Sequence, residues 1–194
     1  MRWPPRFAFV GNCLALDFAQ TGGEGFRARW ESWHKPSDLA DWAELAPDLC
    51  IRPQTNSRDL AQARVLREAI WAVARSMVEG RDIAGDAIEV IQKVAAQPDI
   101  PPVWRDGRRL LSDAIGFDAV MSSVARDALT LFGTPLAERL RECENPQCQL
   151  MFVDRSRPGK RQWCSMNRCG NLIKVARHRS KQKEKRDDRS AFES

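Results

Sequence analysis

The chain has 194 residues, with 31 Lys/Arg against 26 Asp/Glu and an apolar fraction of 43%. This length suits one ordinary domain with a small appendage, and the apolar fraction is close to that of globular proteins. No apolar run approaches the ~18 residues of a membrane span, and the first residues lack the sustained apolar core of a signal peptide. We therefore expect a cytoplasmic location, where disulfides are rare.

The positive charge is concentrated near the C-terminal end. From Cys143 onward the chain has 13 Lys/Arg and 6 Asp/Glu, which leaves 18 basic and 20 acidic residues before it. The two parts therefore carry net charges of +7 and −2. Such a basic segment favours a polyanionic partner, with a solvated, solubilising tail as the alternative.

In chain order, the first predicted element is a strand. Residues 7–19 alternate apolar with small or polar positions, which places the larger apolar side chains on one face. A glycine-rich loop follows at residues 21–25. The next element is a short helix that Ser37 caps and that ends before Pro47.

The strongest helical pattern covers residues 58–79. Its apolar residues recur at helical spacing, Ser57 is the predicted cap, and Gly80 is expected to end the helix. A second amphipathic helix is predicted at residues 84–96.

The pair Asp106-Gly107 lies between two short strand-like runs and predicts a β-hairpin. Helix resumes near residues 113–131. Pro135 then suits the first turn of a final helix that reaches Arg141. The expected fold class is α+β, with a mainly helical N-terminal body and a few short strands.

Four of the six cysteines form two matching pairs: Cys143 with Cys148, and Cys164 with Cys169. Each pair has four intervening residues, and fifteen residues separate the pairs. Structural zinc takes four ligands in a tetrahedron, and thiolates suit it. One pair supplies one edge of the tetrahedron, and a hairpin brings over the other. The pattern predicts one closed, structural Zn²⁺ site.

Other uses of these thiols fit less well. Redox pairs usually have two intervening residues rather than four. A disulfide conflicts with the expected compartment, and a catalytic zinc keeps one position open for water, whereas four thiolates fill the shell. The remaining cysteines, Cys13 and Cys50, lack partner spacing and are predicted to be small core residues.

Around the cysteines the sequence predicts a treble-clef-like zinc finger with four cysteine ligands, built from a knuckle, a β-hairpin and a helix. Pro146 favours a tight knuckle, residues 150–153 are strand-like, and residues 162–163 return the chain to the second pair. Cys169 falls in the first turn of a helix that Ser165 can cap. A helix N-terminus favours the thiolate form.

The segment from Cys143 to Lys174, with its runs F-V-D-R-S, R-Q-W-C-S-M and C-G-N, resembles the CGNR zinc-finger family. The runs L-A-L-D-F-A-Q-T and A-R-V-L-R-E-A-I resemble the ABATE domain, of the stress-induced transcription regulator type, which usually precedes this finger. The resemblance implies zinc ligation by the four paired cysteines, DNA binding and stress-linked transcriptional control. We expect a body at residues 1–138, a finger at 139–180 and a basic, disordered tail at 181–194.

One residue departs from the family's signature. Leu172 follows C-G-N, where the family has Arg. This removes a potential contact to phosphate or base, for which Arg168 and Lys174 can compensate. With Ile173 and Ala176, Leu172 is expected to pack the helix onto the hairpin or the body.

The first functional hypothesis is a DNA-binding regulator. Basic side chains around the hairpin and along the helix can neutralise the phosphates of double-stranded DNA. The predicted nucleic-acid contacts are Arg155, Arg157, Lys160, Arg161, Arg168, Lys174, Arg177 and Lys181. The body then serves as a sensor of a small-molecule effector or as a homodimerisation domain.

The second hypothesis is a protein-interaction or assembly module in which zinc only stabilises the C-terminal appendage, because a segment with so few large apolar residues needs such help. An enzyme is the weakest hypothesis. Asp17 and Glu24 lie near the glycine-rich loop, but that loop lacks the lysine of a P-loop and the glycine spacing of a dinucleotide site. Core packing explains Trp30, Trp33 and Trp42 more simply than a ligand pocket does. No catalytic residue is predicted.

Overall fold

The structure is a computed structural model that describes residues 6–112 and 114–175. Its α-helices are α1 (Leu14–Ala19), α2 (Ser37–Leu45), α3 (Ser57–Glu79), α4 (Gly85–Ala95) and α5 (Phe117–Phe132). Its strands are β1 (Pro102–Arg105), β2 (Arg108–Leu111), β3 (Leu140–Glu142) and β4 (Met151–Val153). None of the helices in the described ranges is long and apolar enough to cross a membrane.

Helix α3 is the centre of the body, where it packs against α1, α4 and α5. The helix is close to its predicted bounds, but its cap is Asn56 rather than Ser57. The Asn56 side chain accepts hydrogen bonds from the backbone N–H groups of Arg58 and Asp59, at 2.8 and 3.2 Å. The Asp59 carboxylate accepts in turn from the Asn56 N–H, which completes a capping box. Gly80 ends the helix in the left-handed conformation, with φ of 64°.

The predicted strand at residues 7–19 is wrong, because Leu14–Ala19 is the helix α1. Every residue of α1 is buried, so the helix has no polar face and its sequence lacks the usual helical periodicity. The Asp127 carboxylate of α5 holds its start. This carboxylate accepts hydrogen bonds from the Ala15 N–H at 2.8 Å and from the Cys13 thiol at 2.9 Å.

The aromatic residues near the glycine-rich loop include two core tryptophans. Trp33 and Trp42 are fully buried and pack edge-to-face on Phe18, with ring centroids 4.8 and 5.2 Å away. Trp30 is half-buried and packs instead against the cluster that the four paired cysteines form with Leu150 and Phe152. Core packing therefore accounts for the first two tryptophans, and contact with the finger accounts for the third.

A 3-10 helix, Gly25–Trp30, follows the glycine-rich loop and is tied to α3 by ion pairs. Arg27 is buried and pairs with Glu68. Arg67 is also buried and donates two hydrogen bonds, at 2.8 and 2.9 Å, to the Glu31 carboxylate. These paired charges attach the segment that carries Trp30 to the central helix.

The hairpin predicted at Asp106-Gly107 is confirmed. Strands β1 and β2 pair antiparallel, and Asp106 and Gly107 have φ of 52° and 74° in the turn. Helix α5 follows and packs on α1, α3 and α4, although it begins at Phe117 rather than near residue 113.

The predicted final helix is only partly present. Pro135–Arg139 is a 3-10 helix, with the Thr134 side chain accepting a hydrogen bond from the Leu136 N–H. The chain then becomes extended as β3, because Leu140 is buried in the body core and pairs with Val153 of β4. Strand β3 leads directly into the first cysteine pair.

Asp17 is a buried acid that holds the segment before α1. Its Oδ1 atom accepts hydrogen bonds from the N–H groups of Val10 and Gly11, at 2.9 and 2.7 Å. Burial raises the pKa of Asp17 from 3.8 to about 7, against the lowering effect of these two hydrogen bonds. The Asp17 carboxyl therefore holds the backbone of residues 10–11 against α1.

We expect the protein to lose stability as pH rises between these two pKa values, because the folded state binds the Asp17 proton more tightly than the unfolded chain does. Asp17→Asn keeps an acceptor oxygen and cannot ionise. The free energy of unfolding of this variant, relative to that of the unmodified chain, should therefore increase between about pH 4 and about pH 8. Urea unfolding measures the difference, with exposed Asp82→Asn as control. A pH-independent difference would contradict the prediction.

Candidate metal centre

The four paired cysteines converge in the folded chain. All four Sγ atoms lie within 4.8 Å of one another, and all four residues are buried. The Cys164 Sγ atom lies 3.7 Å from that of Cys148 and 3.7 Å from that of Cys169. Thiolates bound ~2.3 Å from one tetrahedral zinc are about 3.8 Å apart. One structural zinc ion fits this site, with Cys143 as the fourth ligand.

The first pair flanks the turn between β3 and β4. The Cys143 N–H donates to the Leu150 carbonyl at 2.9 Å, which extends the strand ladder. Asn145 shapes the turn, since its carbonyl accepts from the Cys148 N–H at 2.8 Å and its side chain accepts from the Gln147 N–H at 3.1 Å. The knuckle is present as predicted. Asn145, which precedes the proline, was missed, although an Asn at a turn start is a known signal.

The hairpin has a different partner strand from the one predicted. Strand β4 pairs with β3, which precedes the first cysteine pair, and not with residues 162–163. The Gln162 carbonyl instead accepts one hydrogen bond, from the Glu144 N–H at 2.9 Å. The cause is the burial of Leu140, which brings β3 alongside β4.

Asp154 organises the loop that leads to the second pair. Its carboxylate accepts from the Ser156 N–H at 2.9 Å, the Ser156 hydroxyl at 2.6 Å and the Arg161 N–H at 2.8 Å. Burial alone raises the pKa of Asp154, but these hydrogen bonds outweigh it and lower the pKa to about 2. The signal for this role was the D-x-S pattern, because Asp accepts hydrogen bonds from residues just after it.

The second pair ends the loop and begins a helix. Cys169 lies in the π-helical turn Met166–Gly170, and helix continues through residues 171–175. Ser165 occupies the predicted cap position, but its side chain makes no capping hydrogen bond. The backbone conformation of this turn, without a side-chain cap from Ser165, therefore sets the position of Cys169.

The electrostatics of the four sulfurs favour a cation. Hydrogen bonds from the thiols of Cys148 and Cys164 lower the pKa of Cys143, so one thiolate forms readily. Hydrogen bonding to Cys143 raises the pKa of Cys148, and the same interaction, aided by Cys148 and burial, raises that of Cys164. Several adjacent buried thiolates therefore require a positive charge between them, which a zinc ion supplies. Four thiolates fill the shell of that ion, so the site is structural.

The two unpaired cysteines differ from each other. Cys13 is buried, as predicted. The prediction of a core role is wrong for Cys50, which is exposed. Cys50 follows the turn after α2 in a left-handed conformation, with φ of 53°, and its thiol donates to the carbonyls of Ala46 and Pro47, both at 3.6 Å.

The predicted nucleic-acid contacts occupy different environments. Those that are exposed are Arg155, Arg157, Lys160 and Lys174. Arg161 is half-buried: its Nε atom donates to the Trp163 carbonyl at 2.8 Å, and its guanidinium lies 5.1 Å from the Phe152 ring centroid. Arg168 is also half-buried. Arg177, Lys181 and the predicted tail at 181–194 lie outside the described residues.

Leu172 does not pack as expected. It is 55% exposed, and Val175, one helical turn further on, is 48% exposed. Residues three apart share a helix face, so the two side chains form an apolar strip in solvent. Ile173 is half-buried, and Ala176 lies outside the described residues.

We expect freshly purified protein to contain one zinc ion per chain, measured by mass spectrometry of the metal. Cys148→Ser should reduce this content and the cobalt–thiolate absorption of the Co²⁺-substituted protein, because it removes one of four ligands. Cys50→Ser, which changes an exposed thiol outside the cluster, is the matched control. Full zinc content in the Cys148 variant would contradict the assignment.

Comparison with known families agrees with this geometry. Residues 139–182 match the CGNR zinc finger. Residues 12–135 match ABATE, a family described as "putative stress-induced transcription regulator". A comparison with curated proteins found none that matches the chain. Because the second match covers more than half of the sequence, the chain belongs to the ABATE family and carries a CGNR zinc finger.

Proposed function

We propose that this zinc-finger regulator binds double-stranded DNA through its finger, in the cytoplasm, with the body as a sensor or dimerisation domain. The proposal assigns residues 1–138 to the body, 139–180 to the finger and 181–194 to a basic tail. The observation that carries it is the set of exposed cations beside the closed metal site, Arg157, Lys160 and Lys174.

The closed shell explains why these cations matter. A zinc ion with four thiolate ligands has no open position for substrate, so its role is to hold the loop and helix around it. Arg157 and Lys160 lie on the loop that Asp154 organises, and Lys174 lies on the helix that follows Cys169. The metal therefore holds in place a surface that can neutralise phosphates.

Arg161 has a supporting part in this proposal. Its guanidinium donates to the carbonyls of Trp163 and Cys164 and stacks on Phe152. These contacts stabilise the loop between the cysteine pairs. Arg155 is exposed but also donates, at 3.0 Å, to the Asn12 carbonyl.

A groove in the body supports the sensor role. It is an open groove with a volume of about 1010 Å³ between α3, α4 and the start of α5. Its floor is apolar, with Leu66, Val94 and Met121, and Arg58 and Lys93 stand at its rim. This size and lining suit a small organic molecule.

The exposed strip of Leu172 and Val175 favours a second candidate, a protein-interaction module. Two exposed aliphatic side chains on one helix face can contribute to a docking surface, although single exposed apolar side chains are also common on soluble proteins. Leu172→Arg separates the candidates, because it breaks the strip and restores the family's signature Arg. DNA affinity should rise if the helix contacts DNA, whereas unchanged DNA affinity with loss of a protein partner would favour the second candidate.

The DNA proposal is tested with Arg157→Ala, Lys160→Ala and Lys174→Ala combined. We expect the slope of log affinity against log salt to shrink by about 0.9 per lost contact, measured by fluorescence anisotropy on a duplex of about 20 base pairs. The matched control removes three exposed cations of the body that lie outside the groove, Lys35, Arg81 and Arg108. Equal losses in both variants, or no binding of any duplex at low salt, would sink the proposal.

A further inference from the structure

We infer that the body completes the zinc site: the side-chain amides of Asn12 and Gln20 are positioning residues for β4 and, through it, for the thiols of Cys143 and Cys148. The finger is then not an autonomous metal-binding unit. This inference rests on the zinc site alone and does not depend on DNA binding.

The first step is the free edge of β4. In an antiparallel pair, alternate residues direct their backbone groups toward the partner strand and away from it. In β4, Met151 and Val153 direct theirs away from β3, and both residues are fully buried. Their backbone groups therefore need partners that β3 cannot supply.

The body supplies three of these partners. The Met151 N–H donates to Gln20 Oε1 at 2.5 Å. The Val153 N–H donates to the Gly11 carbonyl at 2.8 Å, and the Val153 carbonyl accepts from Asn12 Nδ2 at 2.9 Å. One backbone carbonyl and two side chains thus take the place of a third strand.

The side chains of β4 divide between two cores. Met151 and Val153 belong to the body core, which also contains Phe18 and Leu66. Phe152 and its neighbour Leu150 belong instead to the core around the four cysteines, against which Ala8, Val10, Trp30 and Trp163 pack. A shift of β4 therefore disturbs both cores.

The last step joins β4 to the thiols. Leu150 directly precedes β4 and accepts the Cys143 N–H, so the position of the strand determines that of the first pair. The body also holds the knuckle itself, since an Arg29 guanidinium nitrogen donates to the Gln147 carbonyl at 3.1 Å. Because coupling between two equilibria is reciprocal, zinc binding must also stabilise the body.

The direct test measures zinc affinity in the full-length protein, by competition with a chromophoric chelator. Gln20→Met keeps the side-chain length and removes the acceptor for Met151. Asn12→Gly removes the amide and still permits the φ of 54° at that position. We expect each variant to bind zinc about tenfold more weakly, because a buried backbone group loses its partner. Gln92→Met, at an exposed position of α4 outside the groove, is the matched control.

Two outcomes would overturn the inference. Both variants could unfold more easily yet bind zinc as tightly as the unmodified chain, which would make the amides structural only. Alternatively, zinc removal from the unmodified chain could leave the body's unfolding midpoint unchanged, as followed by far-UV circular dichroism, to which helices α1 to α5 of the body contribute most of the signal. We expect chelation to lower that midpoint. Both measurements are made without DNA. A result that overturns this inference therefore leaves the DNA proposal untouched.

Discussion

Strand β4 is the constraint on which the rest of the structure depends. Met151, Phe152 and Val153 are each fully buried, with the body core on one face and the cysteine core on the other. A three-residue strand is too short to be stable by itself. The body core, the cysteine core and the pairing with β3 are therefore all needed to hold β4 in place. Metal ligation, hairpin pairing and body packing therefore meet in one segment, and a change in any of them reaches the other two.

The parts of this arrangement that local chemistry determines could be predicted from the sequence. Two matched cysteine pairs indicated four converging thiols, Asp106-Gly107 indicated a hairpin, and Gly80 indicated a helix end. The prediction of a strand at residues 7–19 was wrong because α1 is buried on every side, which removes the periodicity that distinguishes a helix. The predicted pairing partner of β4 was wrong because the pairing with β3 depends on the burial of Leu140, which no local pattern shows.

Side-chain roles were harder to predict than elements. Arg157 and Arg161 have the same charge and lie four residues apart, yet Arg157 is exposed while Arg161 stacks on Phe152 and donates to nearby carbonyls. A planar guanidinium can do both at once, which an ammonium group cannot. No sequence pattern indicated the contact between Gln20 and Met151, because the two residues are 131 positions apart. Long-range polar contacts of this kind become visible only in the folded chain.

The same geometry links the groove of the body to the finger. Helix α3 lines the groove with residues from Arg58 to Leu66. About two and a half turns further on, Arg75 donates to the Glu142 carboxylate of β3 at 2.8 Å. Strand β3 pairs with β4 and leads into Cys143. A ligand held in the groove therefore contacts the helix that holds the hairpin of the metal site. If the body is the sensor that we propose, coupling of its ligand to the finger requires that α3 have two arrangements and that the ligand bind one of them more tightly.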